Sequence, residues 1–227
     1  MPTLTEGNDA RPRPTLSVAA VVALIMLISG CGQNRQPSPL AATDLPATGH
    51  QSLPQELDVL DIAGVIHRPF NDPQVRAVAF VFLVPDCPIS NSYSPELNRV
   101  DSDYGARGVR LFLIQVDPEL SIDDAREHAR QYQLQPPLVL DKGHMWVRKI
   151  GATVTPQAAV LSPAGKVLYL GRIDNRYVGL GKRREQVTVH DLRDALDAVL
   201  AGRPITQPRT EAIGCPIPDI STGELFR

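Results

Sequence analysis

Cys87 is the residue of this chain whose surroundings best suit it to act as a nucleophile. Residues 78–84 are all apolar and mostly β-branched or aromatic, a pattern typical of a buried strand in a parallel sheet. Pro88 suits the first turn of a helix, so Cys87 is expected where that strand gives way to a helix. Unpaired backbone N–H groups and the helix dipole favour thiolate over thiol at such a position. The sequence therefore predicts a reactive thiolate at Cys87, with an inert buried thiol as the alternative.

The order of motifs around Cys87 resembles the thioredoxin-like superfamily, in particular its membrane-tethered redoxin and AhpC/TSA-type members. The resemblance rests on the strand, the Cys87-Pro88 turn, the helix after it, and Thr155-Pro156 ahead of another strand. It covers about residues 52–202 and implies an α/β fold, a mixed sheet flanked by helices. It also implies a cis peptide bond before Pro156, which would bring the backbone of Thr155 beside the Cys87 sulfur to hold an extended substrate.

Ser90 marks a departure from the dithiol members of that superfamily. It occupies the place of the second cysteine of the usual Cys-x-x-Cys motif, so the turn is a monothiol Cys-x-x-Ser motif. Peroxiredoxins carry a threonine three residues and a proline seven residues before the reactive cysteine, whereas this chain has Val84 and Phe80 there. Thiol peroxidase activity is therefore the weaker interpretation and stays open as an alternative.

Cys215 is the expected partner of Cys87. Three cysteines occur in the chain, and if Cys31 carries a lipid, these two thiols are left. An even pair in an oxidising compartment is more often bonded than free, and a monothiol turn needs a resolving thiol from elsewhere. Reversible pairing during catalysis is predicted. A permanent structural disulfide and a free thiol that docks a partner are the alternatives.

Copper binding is an alternative from a different functional class. Cys87, Cys215 and a histidine such as His144 could hold Cu(I), which tolerates a low coordination number. His67, His144 and His190 are otherwise interpreted as surface or capping residues. The favoured interpretation contains neither a cofactor nor a metal ligand.

The start of the chain has the pattern of a bacterial lipoprotein signal. Two arginines precede an apolar run over residues 16–28, which is shorter than the about 20 residues that span a bilayer. The run ends in the sequence ISGC, which resembles a lipobox, so residues 1–30 are predicted to be removed and Cys31 to be acylated. An ordinary secretory signal is the alternative. Gly32, where the inner-membrane sorting signal would be aspartate, slightly favours the outer membrane.

The rest of the chain divides into three parts. Residues 31–51 lack a hydrophobic period and are predicted to form a flexible linker, residues 52–202 a thioredoxin-like domain, and residues 203–227 a C-terminal extension. The formal net charge of −2 leaves no basic patch, so nucleic acid is not an expected partner. The pattern predicts strands at residues 57–62, 66–68, 78–84, 109–116, 138–140, 158–161 and 167–170, and helices after Pro88, from Ser121, over 145–150 and over 190–200.

The favoured function is that of an envelope thiol–disulfide oxidoreductase. Its expected partners are a thiol or disulfide of another protein and the membrane that holds the lipid anchor. Cys87 would attack, and a second thiol, with Cys215 as the candidate, would resolve the mixed disulfide. A copper- or partner-binding module on a redox-inactive scaffold is the main alternative. The predicted catalytic residues are Cys87, Ser90, Thr155, Pro156 and Cys215.

The loop at residues 171–184 carries five cationic residues, which allow two functional interpretations. It could frame the Cys87 pocket or receive an anionic partner. A solvent-exposed loop between a hairpin and the last helix, without a functional role, is the simpler alternative.

Overall fold

The structure is a computed structural model that describes residues 57–218 and residue 220. The predictions for the signal peptide, Cys31 and the linker lie outside the described residues. Within them, no helix is both long enough and apolar enough to cross a bilayer.

The strands and helices follow the order that the sequence pattern predicts, with additional short strands. The strands are β1 (Val59–Leu60), β2 (Ile66–His67), β3 (Ala77–Leu83), β4 (Val109–Gln115), β5 (Leu138–Leu140), β6 (Val154–Thr155), β7 (Gln157–Leu161), β8 (Val167–Gly171), β9 (Tyr177–Gly179), β10 (Lys182–Arg183) and β11 (Cys215–Pro216). The helices are α1 (Pro88–Asn91), α2 (Ser94–Gly105), α3 (Ile122–Gln131), α4 (Met145–Ile150) and α5 (Asp191–Leu200).

A five-stranded mixed sheet in the order β5-β4-β3-β7-β8 forms the centre of the domain. The central strand β3 is parallel to β4, antiparallel to β7 and buried along its whole length. Because successive side chains of a strand point to opposite faces, Ala79 and Val81 pack with α2 and α5, whereas Phe80 and Phe82 pack with Trp146 of α4. The predicted mixed sheet with flanking helices is confirmed, and β3 delivers Cys87 at its end.

The predicted helix after Pro88 is wrong in one respect, because it is divided into α1 and α2. Pro95 has no N–H to donate to the carbonyl of Asn91, and the side chain of Ser94 donates to that carbonyl instead, at 2.9 Å. Cys87 is therefore the N-cap of a four-residue helix.

The tail, defined here as residues 203–218, lies along the domain after α5. Its first contact is with β8, where Arg209 forms a parallel bridge with Leu170. Its second contact is the antiparallel pairing of β11 with β6. The C-terminal extension therefore reaches the strand that precedes Pro156.

Candidate active site

Cys87 lies in the turn between β3 and α1 and is completely buried, with 0% of its surface exposed. Its thiol donates to the carbonyl oxygen of Thr155 at 3.3 Å. The Thr155–Pro156 peptide bond is cis, in agreement with the resemblance. The structure thus brings together Cys87, Thr155 and Pro156, which are far apart in the sequence.

Cys215 lies directly beside Cys87. Its Sγ donates to the Sγ of Cys87 at 2.7 Å, and both are free thiols. Pairing of β11 with β6 holds Cys215 there, since the register places Cys215 opposite Thr155. The two thiols that the sequence analysis selected are therefore neighbours in the fold.

The surroundings of Cys87 favour its thiolate. Burial raises the pKa of the Cys87 thiol, but hydrogen bonds to its sulfur lower it by more, so that the pKa lies below its ordinary value. The donors are the side chains of Cys215 and Ser90 and the backbone N–H groups of the same two residues. The short helix α1 therefore lowers the pKa of Cys87 through individual hydrogen-bond donors near the sulfur.

Cys215 has the opposite shift. Burial, the hydrogen bond to Cys87 and the negative charge on Cys87 raise the pKa of Cys215 to about 11. If one proton is lost from the pair, these opposite shifts favour the proton on Cys215 and the negative charge on Cys87. Of the two thiols, Cys87 is therefore the one that ionises more readily.

Ser90 contributes a hydroxyl to this arrangement. Its side chain is buried, and its Oγ has no hydrogen-bond partner of ordinary geometry within the described part of the chain. An unpaired buried hydroxyl is unfavourable, so its nearness to the Cys87 sulfur favours the charged thiolate and lowers the pKa of Cys87.

A buried cluster that the sequence analysis missed holds the segment after Cys87. The hydroxyl of Tyr93 donates to Asp174 Oδ1 at 2.7 Å, and Arg176 Nη2 donates to Asp174 Oδ2 at 3.2 Å. Arg176 Nη1 also donates to the carbonyl of Ser92 at 3.0 Å, and its guanidinium lies over the Tyr93 ring. The loop at residues 171–184 therefore frames the site, in agreement with one of its two functional interpretations.

A second buried network fixes the turn from its other side. Asn91 Nδ2 donates to the carbonyl of Pro85 at 2.6 Å, which leaves Asn91 Oδ1 to accept from His128 Nε2 at 2.8 Å. His128 Nδ1 then accepts from Gln115 Nε2 at 3.1 Å. Burial lowers the pKa of His128, although the charge of Asp86 opposes this, so the imidazole is neutral at pH 7. The burial of His128 follows from its position one turn after Ala125 on α3, a spacing that the sequence does show.

The histidines do not supply a metal site. Within the described residues, no group of three or more His, Cys, Asp or Glu side chains is arranged to hold a metal ion. His144 Nε2 donates to the carbonyl of Val116 at 2.6 Å, His67 pairs with Asp61 at 2.8 Å, and His190 is the N-cap of α5. The copper alternative therefore has no third ligand beside the two sulfurs in this part of the chain.

The chain has relatives at the level of family and fold. Residues 68–170, less than half of the chain, match the AhpC/TSA family, and the matched segment contains Cys87 but not Cys215. No curated protein matches the chain.

Two solved structures share the fold over most of the chain. A hypothetical protein from Sinorhizobium meliloti is 24% identical with a TM-score of 0.62, and the match covers 74% of this chain and 93% of that one. An uncharacterized conserved protein from Geobacillus kaustophilus is 25% identical with a TM-score of 0.61, and the match covers 75% of this chain and 93% of that one. The mixed sheet with its flanking helices is a thioredoxin-like fold, and residues 68–170 within it are similar to the AhpC/TSA family.

Proposed function

We propose that this protein is a thiol–disulfide oxidoreductase of the bacterial cell envelope in which Cys87 attacks and Cys215 resolves. The observation that carries the proposal is the pair of free thiols 2.7 Å apart whose pKa values are shifted in opposite directions. The AhpC/TSA match over the Cys87 segment supports redox chemistry at that residue.

The first step is attack of the Cys87 thiolate on one sulfur of a partner protein's disulfide. The bond between Cys87 and that sulfur forms, the partner's own S–S bond breaks, and the second partner sulfur leaves as a thiolate that takes a proton from water. Hydrogen bonds from Cys215 and Ser90 favour the Cys87 thiolate for this step, whereas the Thr155 carbonyl beside the sulfur accepts from the neutral thiol.

The second step is attack of Cys215 on the Cys87 sulfur of the mixed disulfide. The Cys87–Cys215 bond forms, and the partner leaves with its second thiol, so two protein thiols are oxidised while one partner disulfide is reduced. Two of the three causes that raise the pKa of Cys215 come from Cys87. The mixed disulfide carries no charge on Cys87. The pKa of Cys215 should therefore fall after the first step, and Cys215 then ionises more readily.

An external dithiol then returns the Cys87–Cys215 disulfide to two thiols. The same steps in reverse would oxidise a partner dithiol, and the relative reduction potentials of the partners decide the direction. Lipid attachment at Cys31 would hold the enzyme at the membrane in an oxidising compartment, where disulfides persist.

The proposal is tested with the reduced full-length protein and oxidised glutathione. We expect the wild type to release two glutathione molecules per chain and to form the Cys87–Cys215 disulfide. Cys215→Ser should instead accumulate glutathione on Cys87, because nothing resolves the mixed disulfide. Cys87→Ser should do neither. Intact mass and peptide mapping measure all three outcomes.

Two results would contradict this function. Failure of Cys215→Ser to acquire glutathione on Cys87 would show that Cys87 is not the nucleophile. Equal glutathione adducts in the wild type and in Cys215→Ser would show that Cys215 does not resolve.

A further inference from the structure

The tail pairs with strands of the domain in two places that differ in kind. The outer contact joins residues 208–210 to the edge of β8: Leu170 N donates to the carbonyl of Pro208 at 3.0 Å, and Thr210 N donates to the carbonyl of Leu170 at 3.4 Å. Thr210 Oγ1 also bonds with the Tyr169 hydroxyl at 2.7 Å and accepts from Arg172 N at 3.0 Å. Side chain and backbone therefore both fix the outer contact.

The hydrogen bonds of the inner contact, between β11 and β6, come mainly from the backbone, and the partly buried side chains of Ile213 and Ile217 pack against the core. Ile217 N donates to the carbonyl of Thr153 at 2.9 Å. The antiparallel register continues with Pro216 opposite Val154 and Cys215 opposite Thr155. A side-chain bond between the two strands, from Thr155 Oγ1 to the carbonyl of Cys215, is long at 3.4 Å.

The inner contact closes the site. In the described residues β6 pairs with β11 alone, and Cys87 and Thr155 are both 0% exposed with the tail in place. A partner segment that approaches Cys87 along β6 would need the same backbone groups that the tail uses. Partner and tail therefore compete for one strand position.

From this competition we propose that residues 213–217 are a tethered internal substrate. They occupy the strand position on β6 that a cysteine-bearing partner segment takes, and the partner must displace them while the outer contact keeps the tail attached. This inference rests on the proposed function, and it adds that access to Cys87 is controlled by the chain's own tail.

The outer contact also explains how the displaced thiol returns. Cys215 lies five positions after Thr210, so the released Cys215 can be at most about 17 Å from the outer contact. A thiol on so short a tether has an effective concentration of roughly millimolar or more, which favours resolution within the chain over a second external thiol.

Gly214 restricts which residue can precede the cysteine in the strand that pairs with β6. A Cβ on Gly214 would overlap the carbonyl oxygen of Thr155 and lie 2.6 Å from its carbonyl carbon. No residue with a side chain fits there without moving the strand away from Thr155. A partner segment that binds in the same register is therefore expected to carry glycine before its cysteine.

The experiment uses the full-length chain with Cys215→Ser, so that the tail is present but cannot resolve. Into it are introduced Gly214→Ala, Ile217→Pro, which deletes the N–H that donates to Thr153, or the control Gly143→Ala, whose Cβ meets nothing within 4 Å. The probe is a peptide of residues 211–218, EAIGCPIP, with its cysteine activated as a mixed disulfide with thionitrobenzoate. Attack by Cys87 joins the peptide to the protein and releases coloured thionitrobenzoate.

We expect Gly214→Ala and Ile217→Pro to raise the rate of peptide transfer to Cys87 about tenfold, because the strand position is vacated. The backbone amide of residue 215 should lose hydrogen-exchange protection in both variants, and that of residue 217 in Gly214→Ala, whereas both amides should keep it in Gly143→Ala. A peptide with alanine in place of its glycine should react about tenfold more slowly.

Equal transfer rates in Gly214→Ala and Gly143→Ala would overturn the proposal, as would tail amides that exchange freely before any substitution. Absence of any adduct on Cys87 from this peptide or from oxidised glutathione, in every variant, would overturn the proposed function and with it the role of the tail. Exchange protection of the tail would persist in that case, which distinguishes the two failures.

Discussion

The Cys87 turn and the Cys215 segment meet at one pair of sulfur atoms, but different kinds of contact hold them. Buried side-chain networks from α3, β4 and the loop after β8 fix the turn. The Cys215 segment is attached by a short backbone ladder and by the partly buried side chains of Ile213 and Ile217, without a buried polar network of its own among the described residues. The difference indicates that the attacking thiol belongs to a fixed frame and the resolving thiol to a segment that can leave.

The largest expected effect is the loss of stability when Asp174, which supports the Cys87 turn, is replaced. Asp174 is 3% exposed and accepts from the Tyr93 hydroxyl, from Arg176 Nη2 and from the Arg176 backbone N–H. Asp174→Ala leaves a buried guanidinium without its carboxylate, and removing one partner of a buried ion pair costs about 3–5 kcal/mol of unfolding free energy. Urea unfolding of the reduced protein measures the loss.

Asp103→Ala is the matched control for this prediction. Asp103 also pairs with an arginine, Arg193 at 2.7 Å, but its side chain is 53% exposed. An exposed ion pair contributes about 0–1 kcal/mol, so the control should stay close to the wild type. Similar losses in the two variants would show that the Tyr93–Asp174–Arg176 cluster is not a special support of the Cys87 turn.

Ser90→Ala is expected to have an intermediate effect, on the pKa of Cys87 rather than on the frame. The substitution removes one of the donors that oppose burial, so the pKa of Cys87 should rise. A hydrogen bond to a charged group is worth roughly 1.5–3 kcal/mol, so its loss should be measurable. Since only the thiolate reacts, the midpoint of the pH–rate curve for alkylation of Cys87 by iodoacetamide should move to higher pH.

The exposed Ser102 on α2 provides the control, because Ser102→Ala removes a hydroxyl far from any sulfur contact that the structure shows. Its pH–rate curve should coincide with that of the wild type. A Ser90→Ala curve that also coincides would remove Ser90 from the site.

The frame of the fold could be predicted because its signals are local. The apolar run before Cys87, the proline that follows it and the Ser121 cap, which accepts from Asp124 N at 3.0 Å, each act within a few residues. The division between α1 and α2 was also encoded locally, in Pro95, but the helical spacing of apolar residues around it favoured a continuous helix.

The contacts that complete the site could not be predicted because they are tertiary. Asp174 and Arg176 are charged and stand in a loop, so they look solvated until the fold shows that they neutralise each other under Tyr93. The sequence allowed the tail to reach Cys87, but where Cys215 lies depends on the close approach of Gly214 to Thr155. A glycine before a tail cysteine was the available signal.

The smallest expected effect compares the two tail contacts through matched Thr→Val substitutions, which keep the shape of the side chain and remove the hydroxyl. Thr210→Val should lower the free energy of unfolding by about 1–2 kcal/mol, because the Tyr169 hydroxyl and Arg172 N lose a partner at 2.7 Å and 3.0 Å. Thr155→Val should cost less than about 0.5 kcal/mol, because its bond to the Cys215 carbonyl is near the limit of useful length at 3.4 Å. Urea unfolding of both variants under reducing conditions gives the comparison. A larger loss for Thr155→Val would mean that the inner contact is the firmer one, and the tail would then open at β8 rather than at the strand that covers Cys87.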